Sequence, residues 1–596
     1  MSNIKKYCVF AAAGCMSGYA IYKYYQKKEL KDASKIFQRA PPLNWKPDSR
    51  SDQIKNLKTR YFDLLIIGGG SAGCGLALDA ATRGLNVALV EREDFGSETS
   101  SKSTKLLHGG IRYLEKAFKN FDIAQFRLVK EALRERSTVM KNAPYLTEKI
   151  PIMLPVYNKL MVPYFLMGLK FYDCISGLKS LGASYFMDKN RTIKKFPMIK
   201  KENLAGSVVY FDGQFNDSRL NVVLALTANF YGATTLNYIT VKNIIQENGA
   251  VAGAICKDMK TGKEIVVRSK GVINSTGPFI DKIRGMSHKM CKPIVQPSSG
   301  VHLIFPGEYA PKNMGLVIPN TKDNSVLFFI PWQGKALVGT TDNKCKLEFS
   351  AKPKLHEIDS ILNEIKDAVS MPENISRTHI LSAWSGIRPL VSDPTKNSGK
   401  TENLVRNHLI HVDNSKLITL SGGKWTTYRQ MAQETIDKAI EIYKLQPKRK
   451  CVTEYVQLLG SHKYSEDLYL KLQRDFQIPI NIAEHLAKSY GDRAFKFNEL
   501  LKGKCKLLSN KYSFLEMEVN YCIENEMALS ITDIIGRRMR FGFIDVNEAD
   551  KSIKKIANLM SKSLKWKPHQ KKLEIQNAHN YLLTLGLDIN AKNKHH

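Results

Sequence analysis

The residues best placed to do chemistry begin in a run of small side chains. Gly68-Gly69-Gly70-Ser71-Ala72-Gly73 follows the apolar stretch Leu64–Ile67 and opens an alanine-rich segment, after which a second apolar stretch ends at Glu91. In a G-x-G-x-x-G pattern the first glycine (Gly68) permits a tight turn. The second (Gly70) lets a pyrophosphate approach the backbone, and the third (Gly73) lets helix and strand pack closely. A helix starting near Ser71 and Ala72 points free N–H groups and the positive end of its dipole at that pyrophosphate. Glu91 stands eighteen residues past Gly73, where a carboxylate accepts ribose hydroxyls. Strand, glycine turn, helix, strand and acid in this order predict a dinucleotide-binding unit.

Two further strand ends carry the same kind of residue. Gly271–Ile273 runs into Asn274-Ser275-Thr276-Gly277, and Leu417–Leu420 runs into Ser421-Gly422-Gly423-Lys424, with Thr426 opening the next helix. Ligands of open α/β sheets bind beyond the carboxyl ends of strands. A nicotinamide enzyme completes its sheet in one contiguous domain. Three strand ends separated by hundreds of residues suit one long cofactor, FAD. Lys424 and the helix N-terminus at Thr426 are expected near the flavin pyrimidine ring, where positive charge stabilises negative charge developing on the ring.

The elements that must position these residues follow from patterning. The fold expected is an α/β FAD-binding domain, Rossmann-like, over 61–445. An antiparallel-sheet substrate cap is inserted at approximately 140–215 and 286–380, and an α-helical domain is appended over 446–590. Ala250–Lys257, a turn ending at Gly262, and Lys263–Val267 read as a hairpin. Pro151–Leu181 is strongly apolar, but its prolines, Lys159 and Lys170 predict buried domain structure rather than a membrane span. Residues 29–60, polar and proline-bearing, read as a linker.

Residues 1–28 contain no acid, and Lys5, Lys6, Lys23, Lys27 and Lys28 bracket the apolar run Tyr7–Tyr22. Such a segment reads first as a mitochondrial targeting or anchoring element, then as another membrane anchor, then as a secretory signal. Ten cysteines without zinc-type spacing argue against a disulfide framework and for a reducing compartment. The net charge of +34 attracts phosphorylated substrates or acidic lipid, although a lysine-rich composition accounts for it equally well. No aromatic–basic repeat suggests a nucleic-acid module. The stretch 551–566 places Ile553, Ile556 and Met560 on one helical face among lysines, with Trp566 after them. It is compatible with an anionic membrane surface or with core packing.

Longer motifs give a resemblance. HGGIRYLE, YFDGQFNDSRLNVVLALTA, INSTGPFIDKIR, QPSSGVHLIFP, SAWSGIRPLVSDP, LSGGKWTTYRQMA and ITDIIGRRMRFGFI resemble the FAD-dependent glycerol-3-phosphate dehydrogenases of the mitochondrial type over about residues 61–585. The resemblance implies oxidation of sn-glycerol 3-phosphate to dihydroxyacetone phosphate. It implies hydride transfer to FAD, and electrons passed to ubiquinone at the mitochondrial inner membrane with the active site facing the intermembrane space. It also implies that Arg112, Tyr113, Arg388 and Arg406 grip the substrate phosphate, for which guanidinium groups are well suited. His302 becomes the expected base for the substrate hydroxyl, with Arg388 stabilising the developing alkoxide. Ser101, Thr104, Lys105, Leu106, His108 and Gly109 are expected to line the flavin. Animal members continue into EF-hands. This chain has no D-x-[DN]-x-[DN]-G loop near its end, so calcium regulation and a metal are not expected. An oxidase delivering electrons to oxygen and a flavin-stabilised binding protein are the competing readings, and a homo-oligomer is left open.

Overall fold

The computed structural model describes residues 28, 32, 35–110, 122–288, 290–319, 326–370, 375–392, 404–405, 408–501 and 505–589. Two sheets carry the architecture. The first runs in the order His408–Val412, Ile418–Gly422, Glu264–Asn274, Tyr61–Ile67, Val87–Val90 and Thr234–Leu236. Tyr61–Ile67 lies parallel to both neighbours, pairing Ile67 with Asn274 on one side and Val90 on the other. The three strand ends that the sequence separates, at Gly68, Ser275 and Gly422, are therefore brought to one edge. The predicted hairpin forms as Ala250–Asp258 against Glu264–Asn274. The helices Ser71–Thr82, Asp217–Phe230 and Tyr428–Tyr443 pack together beside this sheet. Gly75 allows their closeness, because a Cβ there would sit 2.9 Å from the Tyr428 ring.

The second sheet has eleven strands among the described residues. Its backbone is Ser382–Ser392, Val295–Pro306, Lys335–Gly339, Leu327–Trp332, Gly315–Ile318, Thr147–Val156 and Gly206–Phe215. The pairings are antiparallel except that between Gly315–Ile318 and Thr147–Val156. The long edge pairing sets His302 opposite Trp384, and Ser298 opposite Arg388. Leu106-Leu107 adds a short strand to the far edge, tying the loop that follows the nucleotide fingerprint directly to the cap.

Beyond Thr453 the described elements are helical, apart from the hairpin Leu507–Ser509/Tyr512–Leu515. Its core is continuous with the cap: Trp332 and Trp384 share one apolar cluster with Phe541, Phe543, Ile553, Ile556 and Met560. The apolar face of Val546–Ser563 thus faces the core and not a membrane. A row of Ile and Met looks the same in sequence whichever apolar medium receives it. The stretch 29–60, read as a linker, contains the helix Arg50–Thr59, started by Ser49, whose Oγ accepts from Asp52 N at 3.2 Å. Its buried residue Leu57 packs beneath the first sheet. The stretch Pro151–Leu181 departs from expectation in the opposite direction. It ends the strand Thr147–Val156 and then forms the surface helix Val162–Ser176, whose outer face is exposed.

Candidate active site

The glycine turn is built as tightly as its spacing predicts. Gly68 has a φ of 105°, and a Cβ there would lie 2.7 Å from the Ser275 carbonyl oxygen. At Gly73 a Cβ would lie 1.8 Å from the Gly68 carbonyl oxygen. The helix Ser71–Thr82 starts at Gly70 without a side-chain cap of its own. Ser100 lends a hydroxyl instead, its Oγ accepting from Ser71 N at 2.9 Å. Glu91 turns back on the same loop, accepting from Gly69 N at 2.6 Å and from Glu93 N at 2.8 Å. Burial pushes its carboxyl up to about 7, although the N–H groups of Glu93 and Gly69 favour the charged form.

An elongated cavity begins beside Glu91, Thr240 and Val241, passes Gly68, Gly70, Ser71 and Ala72, and reaches Thr276-Gly277 and Gly423-Lys424-Trp425. All three predicted strand ends line it. Gly277 and Gly423 have φ values of 58° and 73°. The helix N-terminus, the acid at one end, and loops where a Cβ would collide with backbone together make a cradle that fits an extended dinucleotide such as FAD. When bound there, FAD supplies a two-electron hydride acceptor.

The remaining predicted residues do not line this cavity; they are tied to the loops at its Ser100 and Lys424-Trp425 end. Thr426 is buried and donates to the His108 carbonyl at 3.3 Å. The Trp425 indole donates to the Ser100 carbonyl at 2.9 Å. His108 places Nδ1 3.3 Å from Asp212 Oδ2, and Gly109 N donates to Asp212 Oδ1 at 2.9 Å. Asp212 is buried, but the contacts with His108 and Arg136 outweigh burial and hold its carboxyl below the usual range. Thr104 Oγ1 lies 3.0 Å from His302 Nε2. His302 is buried, stacks on Trp384 at 5.6 Å, and has no partner for Nδ1 among the described residues. Burial, then the charges of Lys105 and Arg388, hold its pKa well below the ordinary histidine value. His302 is therefore neutral at working pH, the state a base requires.

Arg388 sits four positions along the same strand from Trp384, the residue paired with His302. Its guanidinium donates to the Thr341 and Ser299 carbonyls at 3.0 and 3.3 Å, to Asp342 Oδ1 at 3.0 Å, and to Thr340 Oγ1 at 3.2 Å. Gly300 makes its room, since a Cβ there would stand 2.5 Å from Nη2. About a third of the Arg388 side chain remains exposed, which leaves it reachable by a substrate. Arg112, Tyr113 and Arg406 lie outside the described residues.

Lys105 is placed differently from expectation. Its ammonium is wholly buried, donating to Asp217 Oδ2 at 2.6 Å and to the Ser101 carbonyl at 2.9 Å. Burial draws it down to about 7 against the pull of Asp217. Only its backbone, at a φ of 64°, is left to approach a ligand. Leu106 is buried in the cap sheet, and Ser101 Oγ donates to the Glu98 carbonyl at 3.2 Å. Sequence reasoning missed the partners that hold this loop. Arg540 reaches in from the helical domain to donate to the Ser101 carbonyl at 2.7 Å. Arg537 and Arg538 both pair with buried Asp94, just past Glu91. The signal was available, because three arginines inside the apolar run Ile534–Phe543 are costly unless paired with buried acids.

Comparison with known proteins agrees with this geometry. Residues 63–429 match the model of the FAD dependent oxidoreductase family, and residues 451–571 match that of the C-terminal domain of alpha-glycerophosphate oxidase. A probable glycerol-3-phosphate dehydrogenase of Encephalitozoon cuniculi is 45% identical over 92% of this chain and 89% of its own length. The mitochondrial glycerol-3-phosphate dehydrogenase of Rattus norvegicus is 43% identical over 96% of this chain and 80% of its own.

The chain belongs to the FAD-dependent glycerol-3-phosphate dehydrogenase family.

Among solved structures, the FAD complex of the glycerol-3-phosphate dehydrogenase from Bacillus halodurans superposes with a TM-score of 0.73 at 26% identity, covering 90% of this chain and 97% of that one. The expected fold and cofactor of the family are thus both met: a nucleotide sheet, a mainly antiparallel cap, and a helical C-terminal domain. Among the described residues, no helix is long and apolar enough to cross a membrane.

Proposed function

We propose that this chain oxidises sn-glycerol 3-phosphate to dihydroxyacetone phosphate with FAD as the hydride acceptor, and delivers the electrons to ubiquinone at the mitochondrial inner membrane, on the face toward the intermembrane space. The observation that carries this reading is identity of 42–45% to glycerol-3-phosphate dehydrogenases over more than nine-tenths of the chain. The site geometry supports it. The substrate loses a hydride from C2 and a proton from its hydroxyl, and neutral His302 takes that proton. Arg388 stabilises the oxygen as it becomes anionic and, with Arg112, Tyr113 and Arg406, holds the phosphate. Gly68, Gly70, Ser71, Ala72 and Gly73 take the pyrophosphate and Glu91 the ribose hydroxyls. Thr276, Gly277, Gly423, Lys424 and Thr426 flank the rest of the cofactor, and Ser101, Thr104, His108, Gly109 and the backbone of Lys105 and Leu106 line the flavin.

The test is anaerobic addition of glycerol 3-phosphate to the holoenzyme. Loss of the oxidised-flavin absorbance is expected, and persistence of the colour would reject the substrate. Admitting a soluble quinone or oxygen then separates acceptors. Fast recolouring by quinone with little peroxide supports the dehydrogenase, whereas stoichiometric peroxide would make the protein an oxidase.

A further inference from the structure

The nucleotide cavity is crossed at one end by a ring that the nucleotide domain does not supply. Among the described residues, Phe349 and Pro389 are the two wall residues that come from the cap, and the others belong to the nucleotide sheet, its loops and its helices. Phe349 is 42% exposed and yet lines the cavity, so it stands between cavity and solvent. It marks the end where Glu91 lies, because its neighbours are Arg92, next after that acid, and Phe279, two residues past Gly277. The rings of Phe349 and Phe279 are 3.9 Å apart, with 7° between their planes. The Arg92 guanidinium is 3.3 Å from the centre of the Phe349 ring. Neither distance leaves room for the other group on the same face. Phe349 is therefore held in a slot between a cation and a second ring.

Two aromatic rings alone avoid a face-to-face sandwich, because their negative faces repel, and prefer offset or edge-on arrangements. A guanidinium on the outer face is attracted by that same negative charge and makes the sandwich tenable. The backbone is held in the same place. Ser350, next after Phe349, has a φ of 52°, which few residues with a side chain adopt. Glu98 of the nucleotide domain fixes it there: Oε1 accepts from Ser350 N at 2.8 Å, while Oε2 accepts from Lys102 Nζ at 3.2 Å. Upstream, the segment leaves the cap sheet where Asn343 and Lys344 pair with Ser299 and Ser298. Lys346, Leu347 and Glu348 between these anchors are exposed. The stacked ring and Ser350 are thus what fasten the tip of this cap segment to the nucleotide domain.

We propose that Phe349 is the latch of the cofactor site: it closes the cavity over the AMP half of FAD, and it must leave the slot between Arg92 and Phe279 before the dinucleotide enters or leaves. The stack is made by protein groups alone, so it bars passage in both directions. An ordinary contact to the cofactor acts differently, because it exists only in the complex and shows mainly in the release rate. The latch concerns the dinucleotide and is independent of which alcohol is oxidised or which acceptor takes the electrons.

The test is dilution of the full-length holoenzyme, with free FAD followed by its fluorescence. Phe349→Ala should release FAD about 5- to 50-fold faster, the scale of one ring–ring and one cation–ring contact. The dissociation constant, read from the plateaus of a dilution series, should change by less than about threefold, because rebinding speeds up with release. Phe349→Trp keeps a flat ring in the slot and should stay within about threefold of the parent release rate. Arg92→Met leaves the two rings without their cation and should speed release by about fivefold. An unchanged release rate in Phe349→Ala overturns the latch. A rise in release rate matched by an equal rise in the dissociation constant overturns it as well, since Phe349 would then be an ordinary wall contact.

Discussion

His302 and Thr104 face each other where the cap sheet meets the loop after the nucleotide fingerprint, with Nε2 3.0 Å from Oγ1. The bond uses one ring nitrogen and leaves the other buried, without a partner among the described residues. His302→Gln should therefore lower turnover by about 100- to 10,000-fold, the usual range for losing a positioned base, with flavin content unchanged. Survival of turnover within about threefold would reject His302 as the base. The pH dependence has a defined sign. The folded pKa is depressed, so His302 stays neutral well below pH 6.5 and kcat/KM should show no acid limb from this group above that value. The unfolded chain binds the proton near 6.5 and the folded one does not. The stability contribution is thus full above that pH and lost as the pH falls toward the folded pKa, a slope that the glutamine variant should flatten.

Gly73 and Gly277 both line the nucleotide edge, but they resist substitution for different reasons. A Cβ at 73 meets the Gly68 carbonyl oxygen at 1.8 Å, whereas a Cβ at 277 meets nothing within 4 Å among the described residues and is disfavoured there by its φ of 58°. Gly73→Ala should yield no flavin-loaded protein. Gly277→Ala should retain FAD and lose about 1 kcal/mol of stability, the cost of placing alanine in the left-handed region. Equal flavin retention in the two, measured by absorbance after gel filtration, would show that the turn at Gly73 relaxes.

Asp94 binds the helical domain to the nucleotide domain. Burial pushes its carboxyl up, but Arg538 and then Arg537 more than reverse this and hold it at about 2. With the folded pKa depressed, its stabilisation is present above the unfolded value of about 3.9 and is lost as the pH falls toward 2. Arg538→Met leaves half of a buried pairing and should cost about 3–5 kcal/mol in urea unfolding at pH 7. A loss under about 1 kcal/mol would mean that Arg537 alone satisfies Asp94.

The nucleotide edge was legible because its geometry demands particular residues at fixed spacing. Gly68 and Gly73 leave no space for a side chain, and the strand ends at Thr276 and Gly423 announce themselves by glycine. The electrostatic floor was not legible. Lys105 meets Asp217 across 112 positions and Arg540 meets Ser101 across 439, and no local pattern names such partners. Apolar helical stripes were ambiguous in kind: Ile553, Ile556 and Met560 pack into the core, while Leu160 and Met167 face outward. Periodicity reports that a face is apolar and not what covers it.

Arg388 and Gly300 provide the last test, because the strand carrying Gly300 opens the space that the guanidinium fills. Arg388 already donates to two carbonyls and to Asp342, so its position is fixed before any phosphate arrives. A charged hydrogen bond is worth about 1.5–3 kcal/mol, so Arg388→Met should raise KM for glycerol 3-phosphate by about 10- to 100-fold and leave bound flavin unchanged. Gly300→Ala, whose methyl would stand 2.5 Å from Nη2, should move the guanidinium and raise KM in the same direction by less. Arg388→Lys keeps the charge but not the fork and should fall between the two. An unchanged KM in Arg388→Met would remove this residue from the phosphate grip and leave that task to Arg112 and Arg406.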